Sequence, residues 1–169
     1  DVSPYVATGN ALSVASGRLA FLYDRQGPAV SVDTACSSSL VGMHLASAGL
    51  QGDCETALVG GTNLTLTPDT CMVFKQAGML SADGRCKTLD ALADGYGRGE
   101  ACGALTMSSL RLGESAPSQG AVLASVLGTS VNQDGRSSAL TAPNGPAQQV
   151  ALALALRRGK CNADGVAQL

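Results

Sequence analysis

One cysteine in this sequence stands where a thiol could serve as a nucleophile. Ala29-Val30-Ser31-Val32-Asp33 alternates and is β-branched, the pattern of a strand. At Cys36 the pattern switches to a helical stripe of Leu40, Val41, His44, Leu45 and Ala48, so the thiol falls at a strand-to-helix junction. Ser37, Ser38 and Ser39 suit a helix start, because their hydroxyls can satisfy the unpaired amides of the first turn. Those amides and the helix dipole would favour a thiolate, the form that attacks acyl carbonyls. The small residues around the turn leave room for an acyl group to reach the sulfur. On pattern alone two readings stay open: a nucleophile, or a structural cysteine buried as a small apolar side chain.

Other chemically capable residues are less well placed. His44 lies eight positions after Cys36, about 12 Å along a helix at ~1.5 Å per residue, too far for a side-chain hydrogen bond. Its stripe with Leu40, Val41 and Leu45 makes it a packed core histidine, not a base. Asp90, Asp94 and Glu100 could pair for acid–base work, but in a Gly-rich turn such carboxylates are more often solvated or bonded to backbone. Gly95-Tyr-Gly-Arg-Gly99 resembles a phosphate-cradling loop. Such a loop needs a strand before it and a helix after it, whereas a strand candidate follows here, so it reads as a turn. The six cysteines include no C-x-x-C pair, and one histidine leaves no zinc set, so no metal is expected. They read as reduced thiols of an intracellular protein, cytoplasmic or organellar and not secreted.

The elements that must position Cys36 follow from periodicity and composition. With 45% hydrophobic and 14% charged residues, the 169-residue chain has apolar material for a core of ordinary single-domain size. With 21 Gly, many Ala, no Trp and two Phe, that core must be built from small side chains, which suits a layered α/β protein. The formal charge of −2, with basic residues scattered apart from Arg157, Arg158 and Lys160, argues against nucleic-acid binding. No stretch approaches the ~20 apolar residues of a membrane helix; the richest, Val150 to Leu156, runs into Arg157-Arg158. No signal-like segment is present, so any targeting sequence would lie upstream.

Leu12, Ala15, Leu19 and Leu22 predict a helix from Gly9 to Tyr23, ended by the turn chemistry of Asp24 to Pro28. After the nucleophile helix closes at Gly49 to Asp53, Thr56 to Leu66 reads as a buried strand, with Gly60-Gly61 allowing close backbone approach, and Pro68-Asp69 breaks it. Residues 70 to 98 read as turn-rich. Ala101 to Leu110 is a further strand and Gly113 to Gly120 a linker. Beyond it come a strand from Val122 to Val131, a polar loop from Asn132 to Gly145, and a helix from Pro146 to Arg158 closed by Gly159.

Asp33-Thr-Ala-Cys-Ser-Ser-Ser-Leu40 resembles the active-site signature of β-ketoacyl synthases, closest to those of modular type I polyketide synthases. Further motifs match in order and spacing: Thr8-Gly9-Asn10 with Ser16-Gly17-Arg18, Gly27-Pro28-Ala29, Gly60-Gly61, Asp83-Gly84-Arg85-Cys86-Lys87, Asp94-Gly95 with Arg98-Gly99-Glu100, Val131-Asn-Gln-Asp-Gly135 and Leu140-Thr-Ala-Pro-Asn-Gly145. Glu100-Ala101 departs from the family's usual Glu-Gly. Lys87 and Arg98 match motifs but carry no role over.

The resemblance implies a thiolase-like layered αβαβα fold, here incomplete. Residues 1–112 would be part of the N-terminal half with the nucleophile, and residues 121–169 the start of the C-terminal half. It implies a ping-pong decarboxylative condensation: an acyl group moves from carrier-protein phosphopantetheine to Cys36, and the enolate of malonyl-carrier attacks the thioester. The Cys36 amide would supply half of an oxyanion hole. No cofactor is expected to be bound directly. Two histidines and a lysine of the family would lie beyond residue 169, so the chain alone is expected to be inactive. Phe74 falls in the segment that lines the acyl pocket in related enzymes, with plain core packing an equal reading. Expected partners are an acyl carrier protein, acyltransferase and other synthase domains if the enzyme is modular, and a second copy paired through residues 29–33. Alternatives are a coenzyme-A-dependent thiolase-like enzyme, disfavoured by the Asp-Thr-Ala-Cys-Ser-Ser-Ser signature, and a non-elongating partner subunit, disfavoured by a cysteine at 36 where such subunits often carry Gln.

Overall fold

Among the described helices a side-chain cap holds the start of the last α-helix, and the others begin without one. In the computed structural model, which describes residues 3–52, 54–109 and 122–166, the helix expected from Gly9 to Tyr23 is two helices, α1 (Tyr5–Asn10) and α2 (Leu12–Leu22), separated by an extended Ala11. The chain leaves α2 through Asp24, at φ 48°, with the Arg25 amide donating to the Ala20 carbonyl at 2.8 Å. The nucleophile helix is α3 (Ser38–Leu50). Near the C-terminus α5 (Gly145–Arg158) follows its sequence signals. The Asn144 side chain accepts from the Ala147 amide, Pro146 occupies the first turn, Arg157 and Arg158 face the negative end of the helix dipole, and Gly159 closes it.

Pro68-Asp69, expected to end the strand, lies beyond its end and also opens α4 (Pro68–Gln76), a helix within residues 70–98 that read as turn-rich. Proline lacks an N–H that the first turn would leave unpaired anyway, Asp69 sits at the positive end of the dipole, and Lys75 lies in the last turn. Gly78, at φ 67°, then turns the backbone away. The same residue pair that ends a strand can start a helix, and its flanking charges favour that start.

Two strands are present among the described residues, β1 (Thr56–Asn63) and β2 (Ala101–Ser108), paired in one sheet. β1 is shorter than expected. A Cβ on Gly60 would lie 3.9 Å from the Gly103 carbonyl, an ordinary contact, so the pairing does not demand glycine there. Residues 29–33 and 122–131, both expected as strands, have no regular secondary structure. Alternation fixes which side chains share a face, but a strand also needs a neighbour for its N–H and C=O groups, and among the described residues neither segment has a ladder. The expected linker, 113–120, lies outside the described residues.

The chain divides into two compact units, residues 1–59 with 106–169, and residues 60–105. In the first, segment 122–131 is fastened by side chains. His44 Nδ1 on α3 is 2.8 Å from Thr129 Oγ1, and Arg158 on α5 donates to the Thr129 carbonyl at 2.9 Å. A Cβ on Gly128 would overlap the Ala155 carbonyl oxygen, so glycine is required for the segment to pass the end of α5. Gly42 on α3 faces Val59, where an added Cβ would lie 3.4 Å away.

The expected core is not closed. Among the described residues Val59 is the buried hydrophobic residue and Ser81 the buried polar one. The accessible area of 14110 Å² compares with roughly 7,700 Å² for a compact protein of 16.8 kDa. The apolar material is present, but among the described residues most of its large side chains stay exposed.

Candidate active site

The turn that carries Cys36 is built from short-range hydrogen bonds. Asp33 Oδ1 accepts from the Ala35 amide at 3.1 Å, and Thr34 donates its amide to Ser38 Oγ at 2.9 Å. The Ser38 hydroxyl donates to the Ala35 carbonyl at 2.7 Å, and the Ser37 hydroxyl to the Thr34 carbonyl at 2.8 Å. Backbone bonds from Ser37 to Thr34 and from Ser38 to Ala35 close the turn. Ala35 is thereby held at φ 55°, a left-handed conformation that costs a residue with a Cβ about 1 kcal/mol or more. Cys36 follows it directly, exposed and one residue ahead of the N-cap Ser37.

The serines therefore act differently from the sequence expectation. Ser37 makes no side-chain capping bond to the helix. Its hydroxyl and that of Ser38 reach back into the turn, where they fix the backbone that presents the thiol. Upstream, Ser31 Oγ bonds to the Leu12 carbonyl and lies 3.1 Å from Ser16 Oγ, anchoring the segment before the turn to α2. The Asp-Thr-Ala-Cys-Ser-Ser string is thus a brace around Cys36.

His44 is half-buried and its Nδ1 is engaged by Thr129, so it is a packing and tethering residue of α3, with no bond to Cys36. All six cysteines are free. Cys86 and Cys102 are exposed like Cys36, so exposure does not distinguish the three; Cys36 differs in lying on a braced turn just ahead of a helix. Among the described residues no group of His, Cys, Asp or Glu could hold a metal ion. Likewise, no helix there is long and apolar enough to cross a membrane.

In the second unit the three candidate carboxylates are apart in role. Asp90 accepts from the Leu92 amide at 2.8 Å, Glu100 from the Thr65 amide at 2.5 Å, and Asp94 pairs with Lys87 at 2.7 Å. Lys87 also reaches Asp83 at 3.2 Å, giving this motif residue a structural job. Gly95 to Gly99, expected as a turn, is irregular backbone in which Tyr96 forms an isolated bridge with Leu80, through bonds with Met79 and Ser81. Phe74, on the last turn of α4, carries the Arg98 guanidinium 5.0 Å above its ring centroid. Sequence reasoning missed that pair. Gly97, just ahead of Arg98, was the available signal: a Cβ there would overlap the Gly84 carbonyl oxygen, so the backbone beside Arg98 is held close to another segment.

The Asp83 carboxyl is lowered to about 2, first by the Ser81 hydroxyl at 2.6 Å, then by Lys87 and the Arg85 amide. Asp94 is lowered as well, mainly by Lys87, and Lys87 is raised, mainly by Asp94. A lowered carboxyl binds its proton more readily in the unfolded chain. Its contribution is therefore complete above the ordinary value of 3.8 and is lost as pH falls toward about 2. The raised lysine contributes fully below 10.5 and loses its contribution at more alkaline pH. Amide exchange at residues 83–97, taken relative to the intrinsic rate at each pH in a complete domain carrying this sequence, should accelerate on acidification through that window. Asp83→Asn should flatten the acceleration. An identical acid profile in the variant would contradict the assignment.

The comparisons with known proteins agree with this geometry. The family described as "Beta-ketoacyl synthase, N-terminal domain" matches residues 1–113. The chain is 52% identical over 164 residues to a phenolphthiocerol/phthiocerol polyketide synthase of Mycobacterium tuberculosis, covering 96% of this chain and 7% of that protein. It is 49% identical over 166 residues to polyketide synthase GfsB of Streptomyces halstedii, covering 98% and 3%. Among solved structures it is similar to the oxazolomycin ketosynthase domain OzmH KS7 of Streptomyces albus, with TM-score 0.84 and 34% identity over 90% of this chain and 27% of that one. The ketosynthase from module 6 of the bacillaene synthase of Bacillus subtilis gives 0.83 and 38% with the same coverage. The chain thus spans a small share of the polyketide synthases it matches and about a quarter of those ketosynthase chains. A cysteine on a braced turn ahead of a helix, within a sequence this similar to ketosynthases, makes the chain a member of the β-ketoacyl synthase family, with a thiolase-like α/β fold.

Proposed function

We propose that this chain is the nucleophile-bearing part of a polyketide-type ketosynthase, in which Cys36 accepts an acyl group as a thioester and the enolate of a malonyl-carrier attacks it. The observation that carries the reading is the turn from Asp33 to Ser38, whose hydrogen bonds hold an exposed thiol just before the start of α3. Attack of the sulfur on the acyl carbonyl forms the new C–S bond and a tetrahedral oxyanion. Collapse expels the carrier thiol, which takes up a proton. The Cys36 N–H would donate to that oxyanion. Substrates would arrive on the phosphopantetheine of an acyl carrier protein, and residues 1–112 and 121–169 would belong to the two halves of the fold.

Cys36 is expected to be the first of the six thiols acylated when a complete domain is treated briefly with an acyl-thioester analogue. Mass mapping reads the order of labelling. Exposed Cys86 and Cys102 are the internal controls, and preferential labelling at either one removes the basis of the assignment.

The same reading places residues 29–33 at a two-fold axis, pairing with their counterpart in a second copy. In support, this segment is ladder-free within the chain and Val30 is 63% exposed, as an apolar strand awaiting a partner would be. Val30→Lys or Val32→Lys would bury a charge at that axis and should give monomers by analytical ultracentrifugation. Dimers of unchanged affinity would count decisively against pairing at this segment.

A further inference from the structure

The three serines that follow Cys36 are alike in sequence and unlike in what they bond. Ser39 is exposed, and its hydroxyl takes no part in the bonds of the turn. The Ser37 hydroxyl donates to the Thr34 carbonyl and lies 2.9 Å from Thr34 Oγ1. Ser38 is half-buried and reaches further. Its Oγ accepts from the Thr34 amide at 2.9 Å and donates to the Ala35 carbonyl at 2.7 Å, and its own amide donates to that same carbonyl at 3.2 Å. A hydroxyl carries one proton and two lone pairs, so both roles of Oγ are met at once. The Ala35 amide is held separately, by Asp33 Oδ1 at 3.1 Å.

The Ala35 carbonyl belongs to the same peptide unit as the Cys36 N–H. That unit is planar and trans, so its C=O and N–H point in opposite directions. Two donors from Ser38 on the oxygen therefore fix where the Cys36 N–H points. The Cys36 N–H itself takes part in none of the bonds that close the turn. Hydrogen bonds to the carbonyl also polarise the peptide, which strengthens its N–H as a donor.

We propose that Ser38 is a positioning residue for acyl transfer: by gripping the Ala35 carbonyl it aims the Cys36 N–H at the oxygen that becomes negative when the thiol is acylated. The inference rests on reading Cys36 as the nucleophile and its N–H as an oxyanion donor, and it adds which of the three serines sets that donor. Ser38 acts through the peptide unit and needs no contact with the acyl group.

Two reactions at Cys36 separate aim from simple support. Attack on butyryl N-acetylcysteamine thioester forms a C–S bond and passes the carbonyl electron pair to oxygen, before collapse expels the N-acetylcysteamine thiolate. Attack on iodoacetamide forms a C–S bond at a saturated carbon and expels iodide, with no oxyanion. Both rates are measured by mass mapping in a complete ketosynthase domain carrying this sequence. Their ratio, acylation over alkylation, is the readout, because the folded fraction and the thiolate fraction cancel in it. Ser38→Ala should lower the ratio roughly ten- to hundredfold. Ser38→Thr, which keeps the hydroxyl, should lower it by no more than about threefold, and Ser39→Ala by no more than about twofold. Ser38→Val has the shape of threonine without the hydroxyl and should follow the alanine variant, so the comparison stands even where Ser38→Ala folds poorly. First acylation of the unaltered domain at another cysteine removes the reading of Cys36 and the inference with it. Acylation at Cys36 with a ratio unmoved by Ser38→Ala and Ser38→Val, both rates falling together included, overturns the role of Ser38 and leaves the nucleophile intact. An equal fall in Ser39→Ala would likewise overturn it, since any change in the serine run would then suffice.

Discussion

Cys36→Ala in a complete ketosynthase domain is expected to abolish β-ketoacyl formation, a fall on the order of 10⁴-fold or more. The reason is specific to covalent catalysis. Without the sulfur there is no acyl-enzyme, and the acyl carbonyl is no longer held apart from its carrier while the malonyl unit binds. Because Cys36 is exposed and the turn is braced by Asp33, Thr34, Ser37 and Ser38, the substitution should leave stability within about 0.5 kcal/mol. The two measurements are product formation from matched acyl- and malonyl-carriers, and the thermal midpoint. Intact-mass analysis should at the same time show no acyl adduct. Product above about one per cent of wild type with the fold intact would mean that another group carries the acyl chain.

The 169-residue chain expressed alone should form β-ketoacyl product only at background. Decarboxylation of malonyl-carrier places charge on an enolate oxygen, and the family resemblance assigns its stabilisation to two histidines that this chain does not contain. Each such donor removed typically costs ~10²–10³ in rate. The single histidine here, His44, already has its Nδ1 engaged by Thr129. Uncovered apolar side chains add a second obstacle. Leu40 is 68% exposed and Leu127 66%, so the chain should bind hydrophobic dyes and self-associate. Slow labelling of Cys36 by a strong electrophile should survive, because its turn is built from local contacts. A purified, soluble chain that made β-ketoacyl product in a Cys36-dependent way would show that the chemistry needs fewer residues than proposed.

What could be read in the sequence was mostly local. The helix that begins just after Cys36 and the caps of α5 depend on residues within a few positions, and each element forms as read. The departures have two physical origins. Pro68-Asp69 lies beyond the end of a strand and also opens a helix, which the charges at Asp69 and Lys75 favour. Residues 29–33 and 122–131 show strand alternation, but the hydrogen-bonded neighbour that would make them strands is non-local, and alternation carries no information about where it lies. The candidate site divides along the same line. The brace around the thiol is visible as a run of Asp, Thr and Ser, whereas the direction of the serine bonds, back into the turn and not onto the helix, is not. The meeting of Phe74 and Arg98 depends on backbone closure between residues 24 positions apart, which periodicity does not report.

The left-handed backbone at Ala35 sets stability against reactivity at one position. A glycine there would adopt the same φ without the steric cost, and by that measure the folded state gains. The same exchange widens the range of conformations open to the residue that aims the sulfur, so a looser turn would present the thiol less uniformly. Directed evolution for heat resistance would therefore be drawn to this position, while selection for turnover would hold it as alanine.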